Sequence, residues 1–219
     1  EERINSLGKK NFLLGLNFKL QLIRIIEWTC YKFSGTIIFL SEYSKKRFEN
    51  YFYFSKPNLL IIPGGVDLKE FQPLRPEENL HKIRGLLSLE KKQPVILTVR
   101  RLEERMGLEN LVLAVEMLIK KLPKNFFKLI IVGKGSLRQK LEDLITEKRL
   151  SGVIKLSGLV SKEKLPLYFK VADLFVLPTT AIEGFGLVTA EAFASGLVVM
   201  GTPVGATIEI LKKIDKNLI

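Results

Sequence analysis

From Pro94 onward, β-branched runs alternate about five times with amphipathic stretches, and this rhythm constrains the fold more than any other feature of the chain. Val95–Val99 is the first strand. The stretch Gly107–Leu122 is the first helix, with Leu108, Leu111, Val115, Leu118 and Leu122 on one face. Strands Leu129–Val132, Val153–Leu156, Leu174–Leu177 and Leu197–Met200 follow. Helices over about 136–150, 162–172 and 185–194 separate them, and a last helical stretch covers 206–214. Connections of only a few residues make this a parallel sheet covered on both faces, a doubly wound, Rossmann-like α/β domain. Ligands of such sheets bind beyond the carboxyl ends of the strands, so the loops after Val99, Val132, Leu156, Leu177 and Met200 are where chemistry is expected.

The first 60 residues have a different texture. Phe12–Phe33 is a long, basic, apolar-rich helix candidate, followed by a strand at Thr36–Leu40, a helix at Glu42–Phe52 and a strand at Leu59–Ile62. These elements make too little core to stand alone. The span 59–76, with Pro63, Gly64, Gly65, Pro73 and Pro76, has the punctuation of an interdomain linker, which leaves 77–219 as the α/β domain. Asp67 is placed to cap the turn before Phe71.

Composition excludes several classes. With 47% hydrophobic and 26% charged residues, the chain can build a sizeable core and is too apolar for a disordered segment. The lone cysteine, Cys30, rules out an internal disulfide framework and favours a reducing, cytoplasmic setting. The stretch Asn11–Cys30 carries Lys19, Arg24 and Glu27, which argues against a transmembrane helix. The net charge of +12 is patchy: residues 1–60 carry +5, residues 121–140 carry +6, and residues 171–210 carry −4. A nucleic-acid module should interleave aromatics with lysines on one surface, whereas here the aromatics fall on apolar faces or beside glycines, so no nucleic-acid partner is expected.

The most informative stretch runs from Pro178 to Ala192, after a strand and into a helix. Gly184 and Gly186 let the backbone approach a ligand, and a helix start beyond them offers N–H groups and a positive dipole end to a phosphate. Glu183 and Glu191 flank that anion site. With a helix opening at Phe185, the rise to Glu191 is roughly 9 Å, comparable to a diphosphate with a sugar at each end. Carboxylates accept sugar hydroxyls, so the pair suits a nucleotide sugar. A capping glutamate and a solvent-facing glutamate would give the same spacing.

These residues also carry a family resemblance. Glu183 to Glu191 resembles the E-x(7)-E motif of the GT-B glycosyltransferases, in particular the retaining group numbered family four. Ile62-Pro-Gly-Gly-Val-Asp-Leu-Lys-Glu-Phe-Gln-Pro73 is similar to its I-P-N-G-V-D-x-x-x-F-x-P linker, and Val99-Arg-Arg-Leu102 to its V-G-R-L. Ile131–Gly135 is similar to I-V-G-x-G, Val171–Pro178 to A-D-x-x-V-x-P, and Gly201–Ile210 to the closing G-x-x-x-G-G-x-x-E-x element. Six elements in order span residues 62–210, about 150 residues.

The resemblance implies the donor-binding half of a two-domain enzyme, with residues 1–58 the trailing elements of the acceptor domain and the donor domain cut short at its C-terminus. It gives Glu183 to the transferred sugar and Glu191 to the ribose hydroxyls. Gly184 and the backbone of Phe185, Gly186 and Leu187 would line the sugar and diphosphate. It also places an arginine and, five residues on, a lysine against the diphosphate. Arg101 matches the arginine, but Met106 stands at the lysine position. Arg105, beside it, is expected to take over that role, the alternatives being a poorer site or compensation by Lys134. Arg100, its side chain alternating away from Arg101, reads as structural or rim-facing. Gly133 and Gly135 form a second glycine turn, which serves either close approach to the nucleotide or a tight strand-to-helix connection. Arg138 at the third position of G-x-G-x-x-G argues against a dinucleotide fold proper.

The expected activity is transfer of a hexose from a nucleotide diphosphate donor to a hydroxyl acceptor with retention, in polysaccharide or glycolipid biosynthesis. A nucleotide-sugar epimerase of the same architecture, or a binding-only module, is the alternative. No Asp-x-Asp pair is present, so neither metal nor other cofactor is expected. His81, in a basic stretch, reads as a surface residue. The acceptor could be lipid-linked, with the basic helix docked on the inner membrane face. Alternatively that helix is the last of the acceptor domain, buried on its apolar side. The 219 residues are expected to be inactive as an isolated fragment.

Overall fold

In the computed structural model, residues 19–52, 57–90, 92–123 and 125–214 are described. The chain forms two compact units, one ending at Ile62 and the other beginning at Pro63.

In the first unit a helix over residues 19–33 (α1) precedes β1 (Thr36–Phe39), α2 (Glu42–Tyr51) and β2 (Asn58–Ile61). The part of the expected helix before Lys19 lies outside the described residues. β1 and β2 pair in parallel, Thr36 opposite Asn58 and Phe39 opposite Ile61. The Ser41 hydroxyl accepts the Ser44 N–H at 3.1 Å and caps α2. Phe48 is buried against Tyr31, Phe39 and Phe52, with ring centroids 4.9–5.2 Å away. On α1, Leu22, Ile25, Ile26 and Trp28 are exposed. Among the described residues no helix is long and apolar enough to cross a membrane.

The second unit contains α3 (Leu80–Leu86), β3 (Val95–Val99), α4 (Leu108–Ile119), β4 (Lys128–Val132), α5 (Arg138–Glu147), β5 (Ile154–Gly158), α6 (Leu165–Val171), β6 (Leu174–Leu177), α7 (Leu187–Ala194), β7 (Val198–Gly201) and α8 (Thr207–Ile214). The five strands form one parallel sheet in the order β5-β4-β3-β6-β7. The chain therefore leaves β3 in one direction, to β4 and β5, and returns to its other side at β6. That reversal between β3 and β6 is a topological switch point, where the loops at the carboxyl ends diverge and open a crevice.

Strand side chains alternate between two cores. Val95, Leu97, Ile130, Val132, Phe175, Leu177 and Val199 face a cluster with Phe169, Tyr168, Ala192 and Leu211, while Leu129, Ile131 and Ile154 face Leu108, Val112, Val115 and Leu141. The second face is not covered over its whole width: Val198 and Met200 on β7 are exposed.

Two connections differ from their sequence reading. The segment after Ile62 packs within the second unit: Phe71 is buried there, edge-on to Phe169 at 5.4 Å, and a methyl group on Gly64 would lie 2.7 Å from Leu187 Cδ2. Asp67 forms the turn before Phe71, its Oδ1 accepting the Lys69 N–H at 2.8 Å. The seventh helix begins at Leu187 instead of Phe185, because Gly186 is left-handed (φ 76°) and cannot continue a helix backwards. One buried polar contact had no local signal. Arg84 on α3 reaches the carbonyls of Gln93 (2.8 Å) and Val171 (3.3 Å) and the Asp173 carboxylate (3.4 Å). Asp173 in turn accepts the Val95 N–H at 2.7 Å, fixing the start of β3.

Candidate donor-binding site

A cleft of about 610 Å³ opens at the carboxyl ends of β3, β4 and β5, beside the switch point. Val99, Val132, Leu159, Val160, Leu165 and Val188 supply its apolar wall. Arg100, Arg101, Glu103, Lys134 and the backbones of Gly133 and Gly135 supply its polar part. Arg101 and Lys134 are exposed and free to meet an anion in this cleft. Val188 belongs to the first turn of α7, so the cleft reaches that helix's amino end, which no side chain caps. An uncapped helix start beside two cations is suited to a phosphate.

The glycine turn after β4 is shaped by the neighbouring loop. Gly133 has φ 145°, and a Cβ there would lie 1.8 Å from the Arg100 carbonyl oxygen. A Cβ on Gly135 would lie 2.3 Å from the Leu102 carbonyl oxygen. The two loops are stitched by Arg100 N–H to Val132 O and Leu102 N–H to Lys134 O, each 2.9 Å, and the Ser136 hydroxyl donates to Glu103 at 2.9 Å. Backbone-to-backbone approach thus accounts for both glycines, and it places Lys134 at the cleft.

Glu183 is buried. Its carboxylate forms an ion pair with the equally buried Arg100, and Oε2 also accepts the Thr179 hydroxyl at 3.2 Å. The Glu183 carbonyl accepts the Ala206 N–H at 2.9 Å, so both ends of the residue are fixed. Of the two readings of Arg100, structural and rim-facing, this contact supports the structural one. After Val99 the chain leaves the strand, strand alternation no longer holds, and the guanidinium lies beneath the loop that follows β6. There it also donates to Thr179 Oγ1 at 2.7 Å and touches the Met106 sulfur at 3.0 Å. Nothing in the local sequence could show a contact between residues so far apart in the chain; only the departure from V-G-R-L at position 100 marks it.

Arg105 is exposed, and its Nη1 donates to the Ile182 carbonyl at 2.7 Å; its own carbonyl accepts the Thr180 N–H at 2.9 Å. It ties the loop before Glu183 to the single 3-10 turn Glu104–Met106. The depression beside it is shared by Arg101, Glu103, Glu104 and Ser136, so two carboxylates offset its two cations.

Glu191 lies on α7 one turn in, about 6 Å of helical rise beyond Leu187. Its Oε2 is buried and has no hydrogen-bond partner among the described residues. Burial pushes its carboxyl above the ordinary 4.5, and the charge of Glu70 adds to the effect. A buried carboxylate oxygen without a donor is expensive unless a ligand supplies one. Gly184 and Phe185 are half-buried and Leu187 is exposed at the mouth of the same loop. Among the described residues no three His, Cys, Asp or Glu side chains gather as a metal site would need.

Comparison with known proteins agrees with this architecture. Residues 81–219 match the family of glycosyl transferases group 1. A GDP-mannose-dependent monoacylated alpha-(1-6)-phosphatidylinositol monomannoside mannosyltransferase of Corynebacterium glutamicum is 32% identical over 177 residues, covering 78% of this chain and 45% of that protein. An alpha-monoglucosyldiacylglycerol synthase of Streptococcus pneumoniae is 27% identical over 143 residues, covering 64% of this chain and 35% of its own length. The chain spans less than half of either relative. Among solved structures, sucrose-phosphate synthase from Thermosynechococcus elongatus aligns with TM-score 0.70 at 26% identity, over 85% of this chain and 45% of that one. Anabaena HepE, crystallised with UDP-glucose, aligns with TM-score 0.71 at 23% identity over 82% and 48%. With its switch-point cleft and its five-stranded parallel sheet, the chain belongs to the group 1 glycosyl transferases and has the Rossmann-like architecture of their GT-B fold.

Proposed function

We propose that this chain supplies the donor site of a hexosyltransferase that moves a sugar from a nucleotide diphosphate to a hydroxyl acceptor with retention of anomeric configuration. The observation that carries the reading is the pairing of an uncapped helix start with the orphaned, buried Oε2 of Glu191 one turn further on. A nucleoside diphosphate satisfies both: its ribose hydroxyls donate to Glu191, and its phosphates accept from the first N–H groups of α7.

Arg101 and Lys134 stabilise the negative charge that grows on the leaving diphosphate, and the apolar wall formed by Val132, Val160 and Leu165 holds the base. Glu183, with Oε2 taken by Arg100 and Thr179, presents Oε1 to the transferred sugar. The donor's own phosphate receives the acceptor proton, so the protein orients and neutralises and need not supply a base or a metal. The relatives' names, a phosphatidylinositol mannoside mannosyltransferase and a glucosyldiacylglycerol synthase, support a lipid or glycolipid acceptor. A panel of UDP-, GDP- and ADP-sugars with the complete transferase whose donor site this chain supplies, read by released nucleoside diphosphate and by the anomeric proton coupling of the product, tests the reading. Release from one donor with an α-linked product from an α-donor is expected; no release from any donor refutes it.

A further inference from the structure

We propose that Arg100 is a positioning residue for the transfer, supplying from the end of β3 the positive charge that the family pattern carries as a lysine at position 106. On this proposal the two departures, Arg for Gly at 100 and Met for Lys at 106, are one exchange. The inference rests on the transferase reading above.

The contacts are specific. The Arg100 guanidinium pairs with the Glu183 carboxylate, donates to Thr179 Oγ1 at 2.7 Å and lies 3.0 Å from the Met106 sulfur. Arg100 and Glu183 side chains are 7% and 9% exposed, and Met106 is buried with them. A carboxylate so far from water needs a cation and hydrogen-bond donors, or its position is lost. Among the described residues the only ion pair to Glu183 comes from Arg100. Arg105 turns instead to the Ile182 carbonyl.

The Met106 sulfur marks how far a side chain from that position reaches: it touches the same guanidinium that holds Glu183. A lysine at 106, one atom longer, would bring its ammonium into this cluster and set a second cation on one carboxylate while Arg100 is present. A methionine there instead gives Arg100 an uncharged, polarisable neighbour. Without Arg100, a glycine at position 100 would vacate the space that such an ammonium requires. Position 100 and position 106 are therefore alternative origins for a single charge.

The test is a charge relocation in the complete transferase whose donor site this chain supplies, using Arg100→Gly, Met106→Lys, the double variant, and Arg100→Gly/Met106→Leu as a control without charge. Melting temperature and nucleotide release from UDP-glucose and GDP-mannose are both measured. Arg100→Gly should lower kcat by about 100-fold or more, with donor KM changed much less, and should lower the melting temperature. Met106→Lys alone should also lose activity. The double variant should recover kcat to within about tenfold of wild type and regain the melting temperature, while the leucine control should recover neither. A double variant no better than Arg100→Gly, failure to fold included, overturns the proposal, as does equal recovery by the leucine control. If the wild-type chain releases nucleotide from no donor, the transferase reading fails, and the charge exchange is judged on the melting temperatures alone.

Discussion

Replacing Glu191 with glutamine should make the unliganded protein more stable at neutral pH and a poorer nucleotide binder. Burial and the Glu70 charge raise the Glu191 carboxyl above 4.5 in the folded chain, so folding favours its protonated form. That contribution is complete below the unfolded value and is lost as pH rises through the folded one. At pH 7.5 the ionised carboxylate, with Oε2 unpartnered, is therefore a net cost, which the neutral amide removes. Relief of about 1 kcal/mol corresponds to a gain of about 2–4 °C in melting temperature, and the gain should vanish near pH 4. Binding should move the other way. Two hydroxyl-to-carboxylate hydrogen bonds weakened by about 1–1.5 kcal/mol each give a loss of about 30- to 150-fold for the nucleoside diphosphate. Calorimetry with a ribonucleoside diphosphate and its 2′-deoxy analogue isolates the contact, because the variant should lose only about half as much free energy against the deoxy compound. Equal losses for both nucleotides, or a variant less stable than wild type at pH 7.5, would refute the assignment of Glu191 to the ribose.

Three further perturbations follow from the packing. Gly133→Ala sets a Cβ within 1.8 Å of the Arg100 carbonyl at φ 145°; strain and displaced inter-loop hydrogen bonds should cost about 3–5 kcal/mol, seen as a drop of about 10 °C in melting temperature. A neutral result would mean the two loops do not touch. Phe71→Ala should destabilise the second unit by about 3–5 kcal/mol in denaturant unfolding, since the ring is buried against Phe169, whereas a residue in a free linker would change nothing. Arg105→Ala should reduce transfer less than tenfold, because its guanidinium is engaged by the Ile182 carbonyl; a loss above about 100-fold would return it to the diphosphate.

The sheet was legible in the sequence because each strand is a short β-branched run closed by a turn: Val95–Val99 and Leu174–Leu177 fall where the pattern puts them. Local patterning shifted only the ends, as at α7, where the positive φ of Gly186 delays the helix to Leu187. The Pro178–Ala192 stretch marked the candidate site because glycines, a helix start and two acids stand together there. Two things escaped. The ion pair between Arg100 and Glu183 joins loops that only the parallel crossover brings side by side, so alternation along β3 could separate Arg100 from Arg101 but could not name its partner. Gly133 and Gly135 could be read toward nucleotide or backbone until the Arg100 and Leu102 carbonyls were found against them. The first is a consequence of the switch point between β3 and β6, where loops distant in sequence meet; the second comes from the close pairing of the loops after the adjacent strands β3 and β4.

The central claim, that the switch-point cleft and the first turn of α7 hold a nucleoside diphosphate, is tested most directly by titrating the full chain with UDP, GDP and ADP in a calorimeter. Saturable one-site binding of at least one of them, weakened by charge reversal at Arg101, is the expected result. No heat of binding from a folded protein with any of the three would contradict it.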